Sequence, residues 1–305
     1  MTLADLHRAY RDELLQAGLL ISMGVDGLYG RSGLFERVVE GINAAVGKIG
    51  DADRPEVMRF PPGIGKWQLE QSGYLNSSPQ LVGTVHSFAG NDADHRAMLE
   101  ALAKGEDWTA NQRTTQVALA PAACYGVYPA IGARGRMAEE GALVDCYTYC
   151  FRHEPSVDPA RMQMFRQREH VRLGSEAQAL AFREKWKERG QAIIASFGLP
   201  FEVDIANDPF FGRTGRLLAA SQREESLKFE LLVPIHDKEH PTACVSFNYH
   251  RDLFGRAWKI EAASGEPAHT ACVGFGVERI TLALFKHHGL AVERWPSTVR
   301  DALSL

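Results

Sequence analysis

The strongest constraint on the fold lies between Ala142 and Arg172. Ala142 to Phe151 is rich in Val, Tyr, Cys and Thr, residue types that suit an extended chain, and Met162 to Arg172 can return antiparallel to it. The connection, His153 to Arg161, holds two prolines and two acids. Proline continues neither a helix nor a central ladder, so the connection is a loop. A loop that long inside a compact domain is usually functional.

The rest of the chain is read around this pair. Thr2 caps a first helix in which Leu6, Tyr10 and Leu14 repeat at four-residue spacing, and Gly18 ends it. A second helix is expected from Gly33 to Val46, with Leu34, Val38, Ile42 and Ala45 on one stripe, followed by an extended run from Val57 to Phe60 that stops at Pro61-Pro62. Strands at Leu81–Phe88 and Thr115–Leu119 are expected to enter the main sheet. They flank a helix capped by Asn91 or Asp92, with Met98, Leu99 and Leu102 facing inward. Ser175 and Gln178 form a capping box for a helix that reaches Phe197 before Gly198 and Pro200. Extended runs follow at Phe201–Ile205, Leu227–Ile235 and Thr242–Tyr249, and a last helix spans Gly276–His288, stopped by Gly289. Strands and helices neither alternate strictly nor segregate, and the strands can pair through turns. The expectation is an α+β fold with a mostly antiparallel sheet flanked by helices.

Composition bounds the function classes. With 305 residues, 45% apolar and 24% charged, the chain allows one large domain or two small ones, either able to bury a continuous core. Thirty-four Lys and Arg against 38 Asp and Glu disfavour a broad grip on nucleic acid. The apolar run Ala17–Val25 contains Gly18, Ser22 and Gly24 and is too short to span a membrane, and no basic cluster leads into a cleavable apolar segment. A cytoplasmic protein is expected. Five cysteines, Cys124, Cys146, Cys150, Cys244 and Cys272, are an odd number in a chain that needs no staples, so they serve burial or metal binding.

Two segments carry chemistry. In Phe151-Arg152-His153-Glu154, residues two apart on an extended chain share a face, so Arg152 and Glu154 point together. A guanidinium forks onto phosphate oxygens, and a carboxylate accepts from an exocyclic amine. The alternative is a surface ion pair of little energetic weight, and the tetrapeptide alone favours it. In Gly274-Phe275-Gly276-Val277-Glu278-Arg279-Ile280 the glycines lead into a helix, yet neither a dinucleotide fingerprint nor a P-loop is present. Arg279 opposes the helix dipole, which fits an arginine stacked on a planar base and equally one pointing to solvent. Cys146-x-x-x-Cys150 looks like a metal pair, but buried free cysteine is the better reading of two residues on one strand face. Among the eleven histidines only His153 is singled out, by its place between Arg152 and Glu154.

Taken together and in this order, the two segments resemble motifs 2 and 3 of class II aminoacyl-tRNA synthetases, with Phe165 completing motif 2. The helix from Gly33 and the run ending at Pro61-Pro62 fit the degenerate motif 1, which in that family builds a dimer interface. From Ser32 to Gly289 the sequence is similar to the amino acid:carrier-protein ligases, relatives of the atypical zinc-dependent seryl-tRNA synthetases of methanogens. The resemblance implies one class II synthetase-like catalytic domain over 1–305, with a helical segment at about 1–30 and no room for an appended tRNA-binding domain.

It also implies an activity. Such ligases activate a small amino acid, glycine or alanine, with ATP and Mg²⁺, then pass the aminoacyl group to the phosphopantetheine thiol of a carrier protein. By position, the family's zinc site falls on Cys124, Glu169 and Cys272, three ligands with an open fourth position, and Glu169 thereby also contacts the substrate. Arg152 takes the α-phosphate, Glu154 reads the adenine amine, and Phe165 and Arg279 sandwich the ring. Arg161 and Met162 match positions that contact ATP, as do Lys228 and the strand Ala243-Cys244-Val245-Ser246. The family's seryl enzymes carry a metal-binding glutamate near Ala243, which leaves the Mg²⁺ ligands open. The competing readings are a synthetase homologue that still charges tRNA and a non-catalytic adenylate-binding regulator. The acidic total charge opposes the first, and joint retention of Arg152, Glu154, Arg279 and the three ligands opposes the second.

Overall fold

The Thr2 hydroxyl accepts the Asp5 backbone N–H at 3.2 Å while the Asp5 carboxylate accepts that of Thr2 at 2.9 Å, a reciprocal cap that starts α1 (Leu3–Gln16). The structure is a computed structural model that describes residues 2–206 and 225–305. After α1 come the hairpin β1 (Leu20–Val25) and β2 (Leu28–Arg31), α2 (Gly33–Gly50), β3 (Glu56–Met58), β4 (Gly63–Gly65), α3 (Lys66–Gln71) and α4 (Tyr74–Ser77). They are followed by β5 (Thr84–Phe88), α5 (Asp92–Lys104), β6 (Gln112–Leu119), α6 (Val127–Gly132), β7 (Ala142–Phe151), β8 (Met164–Gly174), α7 (Glu176–Ser196) and β9 (Glu202–Ile205). The chain then forms β10 (Lys228–Val233), β11 (Thr242–Arg251), α8 (Leu253–Trp258), β12 (His269–Gly276), α9 (Val277–His288) and α10 (Ser297–Leu303).

The main sheet has seven strands in the order β3-β7-β8-β12-β11-β10-β9. β7 and β8 pair along their whole length, from Ala142 opposite Leu173 to Phe151 opposite Met164. Every pair is antiparallel except β3 with β7, which is parallel. Alternation along the strands divides the core. Ala271, Val273 and Phe275 of β12 face a large cluster with α1, α2, α7, α9 and α10, whereas Val144, Cys146 and Cys150 of β7 face a second one with Tyr128 of α6 and Phe254 and Trp258 of α8. Cys146 and Cys150 are core residues, as their strand spacing implies.

An ion cluster, buried at Arg166 and Glu278 and half-buried at Glu36, ties α2 to α9. Arg166 on β8 donates through Nη1 and Nη2 to Glu36 of α2, at 2.6 and 2.8 Å, and through Nε to Glu278 of α9 at 2.7 Å. Glu278 also accepts the Arg166 backbone N–H at 2.8 Å and lies 3.4 Å from Arg31 of β2. Every charge there has an opposite partner, the condition for burying Arg166 and Glu278.

Four expectations are corrected. The strands placed at Leu81–Phe88 and Thr115–Leu119 do not enter the main sheet; as β5 and β6 they join β4 in a separate three-stranded sheet, order β4-β6-β5, over a small core of Ile64, Leu69, Ala118 and Ala120. In the helix between them Leu99 and Leu102 do not face inward but are 47% and 57% exposed, because α5 packs mainly on the turn Trp108–Asn111 and not on a sheet. The segment of about 1–30 expected to be helical is helical only over Leu3–Gln16 and continues as the β1–β2 hairpin, and Gly274 and Gly276, whose place suggested only the approach to a helix, lie in a central strand. No helix among the described residues is long and apolar enough to cross a membrane.

Close packing fixes α10 against α2 at Gly41, where an added Cβ would collide with the Leu303 carbonyl oxygen. We expect Gly41→Ala to lower stability by about 1–3 kcal/mol, the usual cost of overpacking a backbone contact, read as a fall in the thermal midpoint.

Candidate active site

Glu169 sits centrally in β8, opposite Cys146 of β7 on one side and Gly274 of β12 on the other. Two residues before Gly274 on the same strand face is Cys272. Cys124 arrives from elsewhere, on the 3-10 turn Ala123–Gly126 that follows Pro121. The turn docks onto the sheet because the Glu169 Oε1 accepts the Ala123 backbone N–H at 2.9 Å. One ligand atom from each of Cys124, Glu169 and Cys272 lies within 4.8 Å of the others, and the three residues are 5%, 2% and 5% exposed.

Three would-be anions in one dry place repel each other. Burial first, and the Cys272 sulfur second, push the Glu169 carboxyl up to about 8. The Cys124 thiol donates to Cys272, and that bond, then burial, holds it well above the ordinary thiol range, while the same bond pulls Cys272 well below it. Cys272 also accepts from the Asn248 amide at 3.4 Å and faces His250 Nε2 at 3.7 Å. Two sulfurs and a carboxylate held this close form a donor set that fits zinc, and a dication relieves their mutual repulsion.

These residues form one wall of a cavity of about 730 Å³, a size typical of ligand sites. Arg152, Glu154, Met162, Phe165, Lys228, Ala243, Cys244, Val245, Ser246 and Arg279 line the same cavity. Arg152 Nε donates to the Pro121 carbonyl at 3.1 Å, which brings its charge near the Cys124 turn, and its Cζ lies 5.4 Å from the Phe165 ring centre. Arg279, in the first turn of α9, donates from Nε to the Ala160 carbonyl and from Nη1 to the Ala243 carbonyl, both at 2.9 Å. Those two acceptors fix its guanidinium between the β7–β8 loop and β11, and explain a cation at the unfavourable end of a helix dipole. Met162 is 4% exposed, and its sulfur accepts from Arg31 at 3.4 Å. Lys228 Nζ pairs with Glu230 at 3.0 Å. Arg161 does not line the cavity; its side chain is 55% exposed and pairs with Glu154 at 3.4 Å.

The structure adds Glu230, Asn248, His250 and the segment Ser72–Ser78 to the cavity wall. Asn248 and His250 continue the alternation from Cys244 and Ser246 along β11, so the strand period contained that signal. Glu230 lies opposite Ser246 across the β10–β11 pair, which only the register reveals.

No protein-family model matches the chain. It is 49% identical over 294 residues to amino acid–(acyl-carrier-protein) ligase 2 of Bradyrhizobium diazoefficiens, covering 96% of this chain and 87% of the relative. Ligase 1 of the same organism is 46% identical over 287 residues, 94% and 88% of the two chains. The chain belongs to this ligase family. Type-2 serine–tRNA ligase of Methanopyrus kandleri is 28% identical over 171 residues, 53% of this chain and 32% of the relative. Among solved structures, the M. kandleri seryl-tRNA synthetase, crystallised with A. aeolicus tRNASec, superposes with a TM-score of 0.81 at 20% identity over 97% of this chain. Cytoplasmic serine–tRNA ligase from Naegleria fowleri, in complex with AMP, gives 0.71 at 14% identity, again over 97%. The ligase spans 60% and 59% of those two chains and has the fold of their class II synthetase catalytic domain.

Proposed function

We propose that this ligase uses ATP to activate a small amino acid, glycine or alanine, and transfers it to the phosphopantetheine thiol of a carrier protein. The observation that carries the reading is one cavity with Cys124, Glu169 and Cys272 on one wall and Arg152, Phe165 and Arg279 on another. Cys124, Glu169 and Cys272 would hold zinc, whose chemistry when bound is Lewis-acid ligation of the substrate's free amino nitrogen. Glu230, opposite Ser246 across the strand pair and paired with Lys228, would offer Mg²⁺ the carboxylate that Ala243 lacks.

The residues then divide the reaction. Glu154 accepts from the adenine amine, Phe165 and Arg279 take the ring between them, and Lys228 with Ala243–Ser246 lines the nucleotide's path; Arg161 acts on it through Glu154. Arg152 meets the α-phosphate and the charge that develops there as the substrate carboxylate attacks and pyrophosphate leaves. The resulting aminoacyl-adenylate is attacked by the carrier's thiolate, AMP departs and a thioester forms. No covalent enzyme intermediate is needed. Cavity volume sets selectivity among α-amino acids, where each methylene is worth ~1–3 kcal/mol.

Five unpaired thiols suit the reducing cytoplasm, where we place the protein. We place a homodimer contact at α2 and β3, an edge strand whose Val57 is 60% exposed. The test is amino-acid-dependent pyrophosphate exchange on protein of measured zinc content, followed by transfer to tRNA and to phosphopantetheinylated carrier. Aminoacylated carrier is the expected product, and charged tRNA would overturn the assignment. Arg279→Ala should raise the KM for ATP roughly 5–30-fold, the worth of a desolvated cation–π stack of about 1–2 kcal/mol, with zinc content unchanged. An unaltered KM would remove Arg279 from the adenine site.

A further inference from the structure

A second group of ligating side chains lies outside the cavity, and the proposed reaction does not use it. His7 from α1, Asp158 from the β7–β8 loop and His236 from the segment after β10 offer one ligand atom each, all within 4.8 Å of one another. None of them lines the cavity. Asp158 Oδ1 is 2.9 Å from His236 Nε2, and Asp158 Oδ2 is 3.8 Å from His7 Nε2. Two ligands about 2.1 Å from a zinc ion at the tetrahedral angle stand about 3.4 Å apart. The two contacts run from different Asp158 oxygens, and with one ligand atom of each residue within 4.8 Å of the others, a modest closing of the side chains brings them to that separation.

The His236 side chain is 1% exposed and its Nδ1 has no hydrogen-bond partner. The Asp158 contact keeps the proton of a neutral His236 on Nε2 in the metal-free protein; an entering ion takes the place of that proton, which the unpartnered Nδ1 can then carry. The two imidazole rings lie 4.3 Å apart at 57°, and the side chains of His7 and Asp158 are 17% and 9% exposed, which leaves a narrow side open to water. Two histidines and one carboxylate with an accessible fourth position are a recurrent donor set for zinc-class dications.

We propose that His7, Asp158 and His236 bind a divalent transition metal, zinc or a close substitute, at a second site separate from the Cys124–Glu169–Cys272 group. The ion joins three segments that are remote in sequence. One of them is the loop that carries Ala160, and the Asp158 Oδ1 already accepts the Ala160 backbone N–H at 2.8 Å. Ala160 in turn holds Arg279. The site is thus a fastener for the loop on the adenine side of the cavity, with α1 as its anchor.

Cobalt separates the two sites, because a thiolate ligand gives a near-ultraviolet sulfur-to-metal charge-transfer band and a nitrogen and oxygen donor set does not. Full-length Cys272→Ala protein is titrated with Co²⁺. The expected result is one tightly bound equivalent with visible ligand-field bands and no charge-transfer band. Adding His236→Gln abolishes that uptake. Adding His7→Ala instead, at a partly exposed position on α1 that tolerates alanine, weakens it at least tenfold. Either Cys272→Ala protein that takes up no Co²⁺, or uptake that both histidine variants leave unchanged, would overturn the second site. Wild-type pyrophosphate exchange is measured alongside, so a failed second site is distinguished from a failed assignment of the activity.

Discussion

Cys272→Ala protein is expected to lose the zinc of the cavity and amino-acid-dependent pyrophosphate exchange together, while still binding ATP. The sulfur of Cys272 is the most interconnected of the three proposed ligands, since it accepts from Cys124 and Asn248 and faces His250. Removing it leaves Cys124 and Glu169 buried without the third donor, and two ligands do not make a zinc site. Exchange should fall at least about a hundredfold, because even the outer partners of metal ligands are worth 10–100-fold. ATP affinity should stay within about threefold, the scatter of a change that leaves the nucleotide contacts in place. Cys146→Ala is the matched control. Cys146 lies directly opposite Glu169 on the same sheet face and is fully buried in the core cluster with Val144, Val171 and Leu173, but it is not one of the three ligand-bearing residues. That variant should lose roughly 1 kcal/mol of stability and keep its zinc. Full exchange by Cys272→Ala protein that has lost the zinc of the cavity would remove that metal from the reaction.

Arg152→Ala should keep its zinc and lose about 10²–10³-fold in kcat for adenylation, the range for removing one group that meets transition-state charge. The Nε bond to Pro121 aims the guanidinium at the space between the Cys124 turn and Phe165, where an α-phosphate and a zinc-held amino acid would meet. Arg152→Lys should recover little, because a point charge on a flexible stem can neither make the Nε bond nor present a guanidinium fork to phosphate oxygens. If alanine raised the KM for ATP and left kcat alone, Arg152 would serve ground-state binding only.

Why some of this was legible in the sequence and some was not follows from the range of each signal. The Ser175 capping box, the Thr2 cap and the long strand pair around His153–Arg161 are short-range patterns, and the structure has all three. Membership of β5 and β6 in a separate sheet is not local. Alternation specifies a strand but not its partner, and both of these strands are largely exposed. The inward reading of Leu99 and Leu102 failed for a related reason, since helical spacing marks an apolar face without saying whether anything covers it. β12 was hidden by its own glycines, which suggest a turn; Gly274 in fact leaves room over Glu169. The Cys124–Glu169–Cys272 grouping has no spacing signature, because its members come from a turn and two strands joined only by the sheet. It was reached through the resemblance of the Arg152 and Arg279 segments. His7, Asp158 and His236 are equally scattered, and no pattern in the sequence pointed to them.

Arg166 divides its donors between α2 and α9, and this sharing has a mechanical consequence. Glu278, its partner on α9, immediately precedes Arg279, so a rigid linkage of three side chains runs from the outer helix to the guanidinium beside the nucleotide space. Neither helix can shift by itself without breaking an ion contact of Arg166. A load on the exterior of α2, such as a neighbouring molecule leaning on it, would therefore be transmitted to the adenine side as a displacement of Arg279.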